Sequence, residues 1–244
     1  GSTGGVGKAT AHLFAADGAN LVLLGTRKER LQSLVKELGV TDENSLSIPV
    51  DISNENDVKF AVEAAVTRFG NIDILVNTAG IAGPAVPTEE YSFEDFRRVY
   101  EVNVFGTFLT MKYILPIMKK QGHGAIVNTA SISGMGGYAY EVGYGSSKWA
   151  VIGLTKDAAS ENANNGIRIN SISPGWIETK MMKEILDNYV ATGVLDKPKD
   201  FDPGPMGRPG KTMEMANVIY FLASDKASYV NGANYVVDGG ATIG

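Results

Sequence analysis

Short apolar runs alternate with longer segments of helical periodicity along almost the whole chain. The apolar runs lie at 21–24, 45–50, 72–76, 125–128, 166–174 and 235–237, and helical segments lie between them, the longest at 93–118. Such continuous apolar runs are typical of strands that are buried on both faces of a parallel sheet. Alternating strands and helices imply right-handed crossovers. The sequence therefore predicts one α/β domain over residues 1–244, with a doubly wound parallel sheet.

The chain opens with a glycine-rich segment, Gly1-Ser2-Thr3-Gly4-Gly5-Val6-Gly7, followed by a helical run. Glycines at these positions allow a tight turn and a close approach of the backbone to a pyrophosphate at a helix N-terminus. A plain loop is the alternative. Because such a turn normally follows a central buried strand, we expect roughly eight to twelve further residues upstream that end in an apolar strand.

Tyr144 and Lys148 lie one helical turn apart at the start of a helix that is predicted to be buried. Side chains at this spacing share one face of a helix. An ammonium group beside a phenol favours the phenolate, so the pKa of Tyr144 is expected to fall from about 10 towards neutrality. This would suit a general acid or base. Ser131 could add a hydroxyl, whereas a solvated helix face is the alternative for the pair.

The composition argues against several classes of function. The net charge of −5 leaves no basic surface for nucleic acid, and no apolar run is long enough to cross a bilayer. The chain has no cysteine, which excludes disulfides and thiolate chemistry. Its two histidines, His12 and His123, are far apart, so we expect no metal site and no Ser-His-Asp triad. A reducing, cytoplasmic setting is expected.

The motifs, in this order and spacing, resemble those of the short-chain dehydrogenase/reductase family, and 3-oxoacyl-carrier-protein reductases within it. The resemblance covers essentially the whole chain and implies a Rossmann-type fold. Thr78 stands where the family usually has a second asparagine, and the family's first strand is missing before Gly1. The matching positions are Gly1, Gly5, Gly7, Asp51, Asn77-x-Ala79-Gly80, Asn103, Ser131, Tyr144-x-x-x-Lys148, Pro174-Gly175 and Asp238-Gly239-Gly240.

The resemblance implies four catalytic residues. Tyr144 would protonate a carbonyl oxygen while the nicotinamide delivers a hydride to the carbon, and Ser131 would hold that oxygen by a hydrogen bond. Lys148 would lower the pKa of Tyr144 and bind the ribose hydroxyls. Asn103 would anchor a water that links Lys148 to solvent, although a polar side chain that faces solvent is the alternative for Asn103.

The resemblance also implies where the cofactor binds. Asp51 and Ile52 would flank the adenine, and Ile177 and Thr179 would contact the carboxamide of the nicotinamide. The complete expected set is Gly1, Ser2, Thr3, Gly5, Val6, Gly7, Thr26, Arg27, Asp51, Ile52, Asn77, Ala79, Gly80, Tyr144, Lys148, Pro174, Gly175, Ile177 and Thr179.

The choice between NADP(H) and NAD(H) depends on the end of the strand at 21–24. Enzymes that prefer NAD carry an acidic residue there, whereas this chain has Gly25 followed by Thr26 and Arg27. A guanidinium is well suited to bind a 2′-phosphate. NADP(H) is therefore favoured. NAD(H) stays open because Gly4 stands where many NADP-binding relatives place a basic residue, and because Arg27 could be a surface residue.

Residues 179–208 interrupt the alternation of strand and helix and are predicted to form a lid over the substrate. Lys180 and Lys183 could attract an acidic substrate or could belong to a solvated helix face. The apolar residues of the first part of the lid could line the pocket or belong to the core: Met181, Met182, Ile185, Leu186 and Tyr189. Further candidates for the pocket are Met135, Tyr138 and Tyr140.

The predicted function is the NADP(H)-dependent interconversion of a ketone and a secondary alcohol, with a 3-oxoacyl thioester or a small ketone as substrate. One alternative is an NAD-dependent alcohol, hydroxysteroid or polyol dehydrogenase of the same family. A sugar-nucleotide epimerase would need a larger C-terminal domain. A non-catalytic dinucleotide sensor would be expected to lack at least one of the four catalytic residues named above. We expect a homotetramer, or a dimer, that assembles through the helices containing Asn103 and Tyr144.

Overall fold

The computed structural model describes residues 1–243, which form six strands and eight α-helices. The strands are β1 (Leu21–Gly25), β2 (Ser45–Pro49), β3 (Ile74–Asn77), β4 (Gly124–Thr129), β5 (Ile167–Pro174) and β6 (Asn234–Val237). The helices are α1 (Gly5–Ala16), α2 (Lys28–Leu38), α3 (Glu55–Phe69), α4 (Phe93–Tyr100), α5 (Gly106–Gln121), α6 (Val142–Asn162), α7 (Lys180–Ala191) and α8 (Thr212–Ala223). A π-helical turn, Glu101–Phe105, joins α4 to α5.

The strands are all parallel and are distributed over two sheets. One sheet pairs β1 with β2, and the other has the order β3-β4-β5-β6. The predicted α/β class with a parallel sheet is confirmed. β1 and β3 are not paired with each other, and the glycine-rich segment lies between their carboxyl ends. There the Ser2 amide donates to the Leu24 carbonyl at 3.0 Å, and the Gly1 Cα lies against the backbone of Ala79.

The four-stranded sheet is covered by helices on both faces. Ile126 and Val127 are successive residues of β4, and both are 0% exposed. Because successive side chains of a strand point to opposite faces, each face must be packed against helices. Ile126 belongs to a core cluster with Met118 of α5, and Val127 to another with Ile219 of α8. This double burial explains why the strands read as continuous apolar runs.

Side chains and glycines fix several of the helix ends. The Asn54 side chain accepts from the backbone amides of Asn56 and Asp57 at the start of α3, as expected of an N-cap. Gly122 ends α5 with φ of 76°, a left-handed conformation that glycine adopts readily. The Thr179 side chain accepts from the Met182 amide, so α7 begins where the predicted lid begins.

The long helix predicted over 93–118 is a continuous helical segment, but its middle is not α-helical. The π-helical turn holds Asn103, whose side chain is 1% exposed, so the solvent-facing alternative is wrong. π-Helical turns are rare in proteins, but those that occur are often found at functional sites. None of the helices within residues 1–243 combines the length and the apolar character that a membrane crossing requires.

Candidate active site

A cleft of about 610 Å³ lies at the carboxyl ends of the strands. Its wall includes residues at or just beyond the ends of β1 to β5, together with the glycine-rich segment and the start of α7. The carboxyl ends of parallel strands meet at one edge of a sheet, where α/β proteins bind their ligands. Most of the predicted site residues line this cleft: Gly1, Thr3, Gly5, Val6, Gly7, Thr26, Arg27, Asp51, Ile52, Ala79, Gly80, Ser131, Tyr144, Lys148, Pro174, Gly175, Ile177 and Thr179.

Two of the predicted cofactor-binding residues, Ser2 and Asn77, do not line the cleft. The Ser2 hydroxyl accepts from the Leu24 amide at 3.0 Å, which ties the glycine-rich segment to β1. The Asn77 side chain donates to Asn128 at 2.9 Å and accepts from Thr110 at 3.0 Å. Both side chains are therefore used inside the framework, and a contact of either residue with a cofactor stays a prediction.

Asn103 also lies behind the wall of the cleft. Its side-chain amide donates to the Ile81 carbonyl and to the Ser147 hydroxyl, both at 2.9 Å, and its Oδ1 accepts from the Ile81 amide at 2.9 Å. Ile81 lines the cleft, and Ser147 immediately precedes Lys148. Asn103 thus positions two elements of the site, and the water that it is predicted to anchor stays a prediction.

Tyr144 and Lys148 of α6 point into the same part of the cleft. The Lys148 Nζ lies 5.5 Å from the centroid of the Tyr144 ring and donates to the Thr129 carbonyl at 2.9 Å. Burial raises the pKa of Tyr144 to about 12, although the Ser131 hydroxyl acts in the opposite direction. Burial lowers the pKa of Lys148 to about 8. The downward shift predicted for Tyr144 is absent, because desolvation outweighs the hydrogen bond with Ser131 and the Glu141 carboxylate raises the pKa further.

Ser131 follows β4 and presents its hydroxyl beside Tyr144. Its side chain is 7% exposed, and its Oγ accepts from the Ser133 amide at 3.2 Å. A hydroxyl that accepts one hydrogen bond can still donate its proton to another acceptor. Ser131 is therefore ready to donate to an oxygen in the cleft. Ser133 is buried and lines the cleft as well, but only its backbone amide is used in this contact.

Two arginines lie at the end of the cleft opposite to Ser131, Tyr144 and Lys148. Arg27 precedes α2, and Arg30 lies on its first turn; both line the cleft beside Thr26. The sequence reasoning missed Arg30, although its spacing of three from Arg27 places it on the same side of a helix. Both side chains are at the N-terminal end of α2, which itself favours an anion.

Asp51, the acidic residue nearest to this end in the wall of the cleft, is already paired. Its carboxylate lies 3.1 Å from the Arg98 guanidinium and accepts from the Ser53 hydroxyl at 2.6 Å. Burial alone would raise the pKa of Asp51, but hydrogen bonds from Ser53 and Arg98 hold it below its usual value. The negative charge of Asp51 is therefore partly compensated within the protein.

The other end of the cleft is mostly apolar. Its wall includes Trp176, Tyr138, Met181, Met182 and Ile185. Of the two alternatives for the apolar residues of α7, pocket or core, the structure therefore supports the pocket for Met181, Met182 and Ile185. The remaining candidates lie elsewhere, because Leu186 and Tyr189 are buried outside the cleft, and Met135 and Tyr140 do not line it. Lys180 reaches the wall but is paired with Glu184 at 2.6 Å, and Lys183 is not part of the wall.

The residues of the cleft fit a dinucleotide. A Cβ on Gly7 would collide with the Gly1 carbonyl oxygen, so the turn before α1 exposes bare backbone. No side chain caps α1, and its first turn carries no acidic residue, which leaves its positive end open to a phosphate. The described residues hold no group of three or more histidine, cysteine or acidic side chains that could bind a metal ion.

Comparison with known proteins identifies the family. The family model described as "Enoyl-(Acyl carrier protein) reductase" matches residues 1–242. The chain is 40% identical over 242 residues to a cyclohexanol dehydrogenase of Acinetobacter sp., covering 99% of this chain and 92% of that protein. It is 39% identical over 243 residues to a 3-oxoacyl-[acyl-carrier-protein] reductase of Thermotoga maritima, covering 100% of this chain and 96% of that protein.

Solved structures agree with these sequence matches. Levodione reductase superposes with a TM-score of 0.94 at 38% identity, covering 100% of this chain and 95% of that chain. ElxO with NADP bound gives a TM-score of 0.90 at 34% identity, covering 100% and 97% of the two chains. Xylitol dehydrogenase bound to NAD⁺ gives 0.93 at 35% identity, covering 98% and 96%. The chain therefore belongs to the short-chain dehydrogenase/reductase family, and it is an oxidoreductase that acts on CH–OH groups.

Proposed function

We propose that this protein is an NADP(H)-dependent oxidoreductase that interconverts a small ketone and the corresponding secondary alcohol. The observation that carries the proposal is the position of Ser131, Tyr144 and Lys148 together in the wall of one cleft. At the other end of the same cleft lie Arg27 and Arg30, so one dinucleotide can contact both groups.

The chain's own residues supply the proton transfer. The bound nicotinamide would give a hydride to the carbonyl carbon, or take one from the alcohol. With a pKa of about 12, Tyr144 is protonated at neutral pH and donates its proton to the carbonyl oxygen as that oxygen gains charge. Ser131 donates a second hydrogen bond to the same oxygen. In the direction of oxidation, Tyr144 must first lose its own proton; its phenolate then takes the proton of the alcohol, while Ser131 holds the alcohol oxygen by a hydrogen bond.

Lys148 stabilises the phenolate that Tyr144 becomes once it has given up its proton. With a pKa of about 8, its amine is largely protonated at neutral pH. The Thr129 carbonyl, which accepts from Nζ at 2.9 Å, fixes the ammonium beside the ring. We infer that Asn103, through Ile81 and Ser147, keeps the backbone around Lys148 in place and supports the water that returns the proton.

The preference for NADP(H) rests on charge at the end of β1. A 2′-phosphate there would meet Arg27, Arg30 and the N-terminal end of α2, and Gly25 leaves room for it. The nearby carboxylate of Asp51 is compensated by Arg98. Relatives include both an NADP-bound and an NAD⁺-bound structure. NAD(H) is thus the second candidate cofactor.

Replacing Arg27 with alanine is expected to reduce the preference for NADPH over NADH. A hydrogen bond to a charged group contributes ~1.5–3 kcal/mol, so the ratio of the two kcat/KM values should fall by about 10- to 150-fold. Arg30→Ala should act in the same direction. Lys28→Ala is the matched control, because Lys28 is a neighbouring cation that does not line the cleft. A wild type that prefers NADH, or an unchanged ratio in both arginine variants, would contradict the proposed pocket.

For the substrate we propose a small neutral ketone or alcohol, covered by a lid at residues 179–208. The apolar wall formed by Trp176, Met181 and Ile185 suits a hydrocarbon ring. The relatives named cyclohexanol dehydrogenase and levodione reductase support this reading. A 3-oxoacyl thioester, suggested by the Thermotoga maritima relative, is the second candidate. Against it, the ammonium of Lys180 is already paired with Glu184 and is not free for an acidic carrier.

Nicotinamide absorbance provides the test of this function. The purified protein would be mixed with NADPH or NADH and with cyclohexanone, a linear ketone or an acetoacetyl thioester. We expect oxidation of the nicotinamide with at least one of the two simple ketones, faster than with the thioester. Faster turnover of the thioester would favour the second candidate, and no turnover with any carbonyl compound or alcohol would overturn the proposal.

We also propose a homotetramer, with a dimer as the alternative. Phe105 is 48% exposed, Phe108 46% and Trp149 54%, which leaves large apolar side chains on the surface of the two helical segments around Asn103 and Tyr144. A large exposed apolar surface indicates an interface. Light scattering of the wild type should give four copies, and Trp149→Glu should shift the protein towards smaller species. Phe60→Glu, on α3, is the control, and a monomeric wild type would refute the assembly.

A further inference from the structure

Glu141 places a buried carboxylate beside the catalytic residues. It immediately precedes α6, about one turn before Tyr144, is 9% exposed, and lines the cleft. Its Oε1 accepts from the Tyr189 hydroxyl at 2.6 Å. Its Oε2 is buried and has no hydrogen-bond partner among residues 1–243. One oxygen of this carboxylate is therefore held in place, and the other is free to accept a hydrogen bond.

The usual structural roles of such a residue do not account for Glu141. It stands at the N-cap position of α6, yet its side chain makes no capping hydrogen bond. It forms no salt bridge with a lysine or arginine of the described residues. Its negative charge raises the pKa of Tyr144, after the larger effect of burial, so it does not assist the ionisation of that phenol. Leaving a buried acceptor unsatisfied costs about 1–3 kcal/mol, and more for a charged group.

A hydrogen-bond donor from the substrate would satisfy this oxygen. A carboxylate only accepts hydrogen bonds, and bonds to a charged acceptor are shorter and stronger than neutral ones. Side chains one helical turn apart are separated by about 5–6 Å at Cβ, so one small molecule can reach Tyr144 and Glu141 at once. Glu141 also borders a small cavity of about 10 Å³, which has room for one water at most.

We propose that Glu141 binds a second hydroxyl group of the substrate, and that the protein therefore prefers diols and hydroxyketones to alcohols and ketones with a single oxygen. The inference rests on the proposed function, because it assumes that the reacting oxygen lies against Tyr144 and Ser131. A hydroxyl is favoured over an amine because the ammonium of Lys148 already lies in this part of the cleft. The acyl chain of a 3-oxoacyl thioester has no hydroxyl to offer Glu141.

The test compares compounds that share one ring. The oxidation of cyclohexanol, of the three positional cyclohexanediols and of the matching aminocyclohexanols would be measured with the holoenzyme. For the wild type we expect kcat/KM for at least one diol to exceed that for cyclohexanol by about tenfold, the effect of one hydrogen bond to a charged group. Glu141→Gln should reduce this ratio by a similar factor, whereas Glu161→Gln, at the exposed far end of α6, should preserve it.

The outcomes separate this inference from the proposed function. Activity on cyclohexanol with no preference for any diol would overturn the inference alone, whether or not the variants fold. A preference for an aminocyclohexanol over every diol would also overturn it. If Glu141→Gln lowers kcat/KM for all alcohols in parallel, Glu141 acts through Tyr144 or the fold and binds no hydroxyl. A wild type that oxidises none of these alcohols and reduces no ketone would overturn the proposed function, and this inference with it.

Discussion

Replacing Tyr144 with phenylalanine is expected to remove nearly all turnover while the protein still folds and binds its dinucleotide. The substitution deletes the phenolic proton and keeps the ring, beside which the Lys148 Nζ lies at 5.5 Å from the centroid. General acid and base catalysis by a positioned side chain contributes ~10²–10⁴-fold, and kcat should fall by a factor in this range. Steady-state kinetics, fluorescence of bound NADPH and thermal unfolding would measure the three properties separately.

Tyr138→Phe is the matched control for this substitution. It removes a second phenolic hydroxyl from the wall of the same cleft, but this hydroxyl lies outside the group formed by Ser131, Tyr144 and Lys148. We expect a loss below about tenfold, smaller than the contribution of a catalytic proton donor. If Tyr144→Phe kept kcat within about threefold of the wild type, or if both variants lost activity equally, another group would be the proton donor.

Replacing Gly7 with alanine is expected to impair dinucleotide binding severely. The added Cβ would collide with the Gly1 carbonyl oxygen, which is backbone and cannot rotate away, and would also meet the Thr78 side chain. The glycine-rich turn must therefore move. Misplacing a binding group by about 1 Å can lower activity by ~10²-fold, and overpacking typically destabilises by ~1–3 kcal/mol. The kcat/KM for the cofactor and the free energy of unfolding should both fall.

Gly4→Ala provides a graded comparison at the same turn. Its Cβ would lie 3.3 Å from the same Gly1 oxygen, a tight contact that a small shift can relieve. Its φ of −78° is also open to alanine. We expect a clearly smaller loss of kcat/KM than for Gly7→Ala. Equal losses in the two variants would show that steric conflict with Gly1 is not the reason why this turn needs glycine.

The order of the strands and helices could be predicted because it depends on local periodicity. The apolar run at 45–50 corresponds to β2 (Ser45–Pro49), and the strand at 72–76 is displaced by only a few residues in β3. The cluster of Ser131, Tyr144 and Lys148 could also be anticipated. Two of these residues share one helix, and the third follows a strand that ends at the same edge of the sheet.

The direction of several side chains could not be predicted, because partners that are distant in sequence decide it. Asn77 turns away from the cleft because Asn128 and Thr110 satisfy its amide. Glu141 was overlooked because its partner, Tyr189, lies 48 residues further along the chain. A match to a motif shows which residue stands at a position, and it does not show what that side chain contacts.

The effect of burial on the pKa values of Tyr144 and Lys148 could not be predicted from the sequence either. The spacing of Tyr144 and Lys148 predicts a lowered pKa for the phenol, since it shows the ammonium group beside it. It does not show how much water the folded chain removes from both groups. In the structure this loss of hydration raises the pKa of Tyr144 and lowers that of Lys148. Arg30, by contrast, could have been predicted, since it lies only three residues after Arg27 at the start of α2.

The π-helical turn makes the length of its segment as important as its residues. An α-helix rotates by about 100° for each residue, and a π-helical turn holds one residue more than an α-helical turn. Deleting one residue between Glu101 and Phe105 would restore regular pitch and would turn α4 against α5 by about that angle. Either Arg98 would leave Asp51 or Asn103 would leave Ile81. A chain shortened here by a single residue could keep every residue of the cleft and still lose the arrangement of the active site.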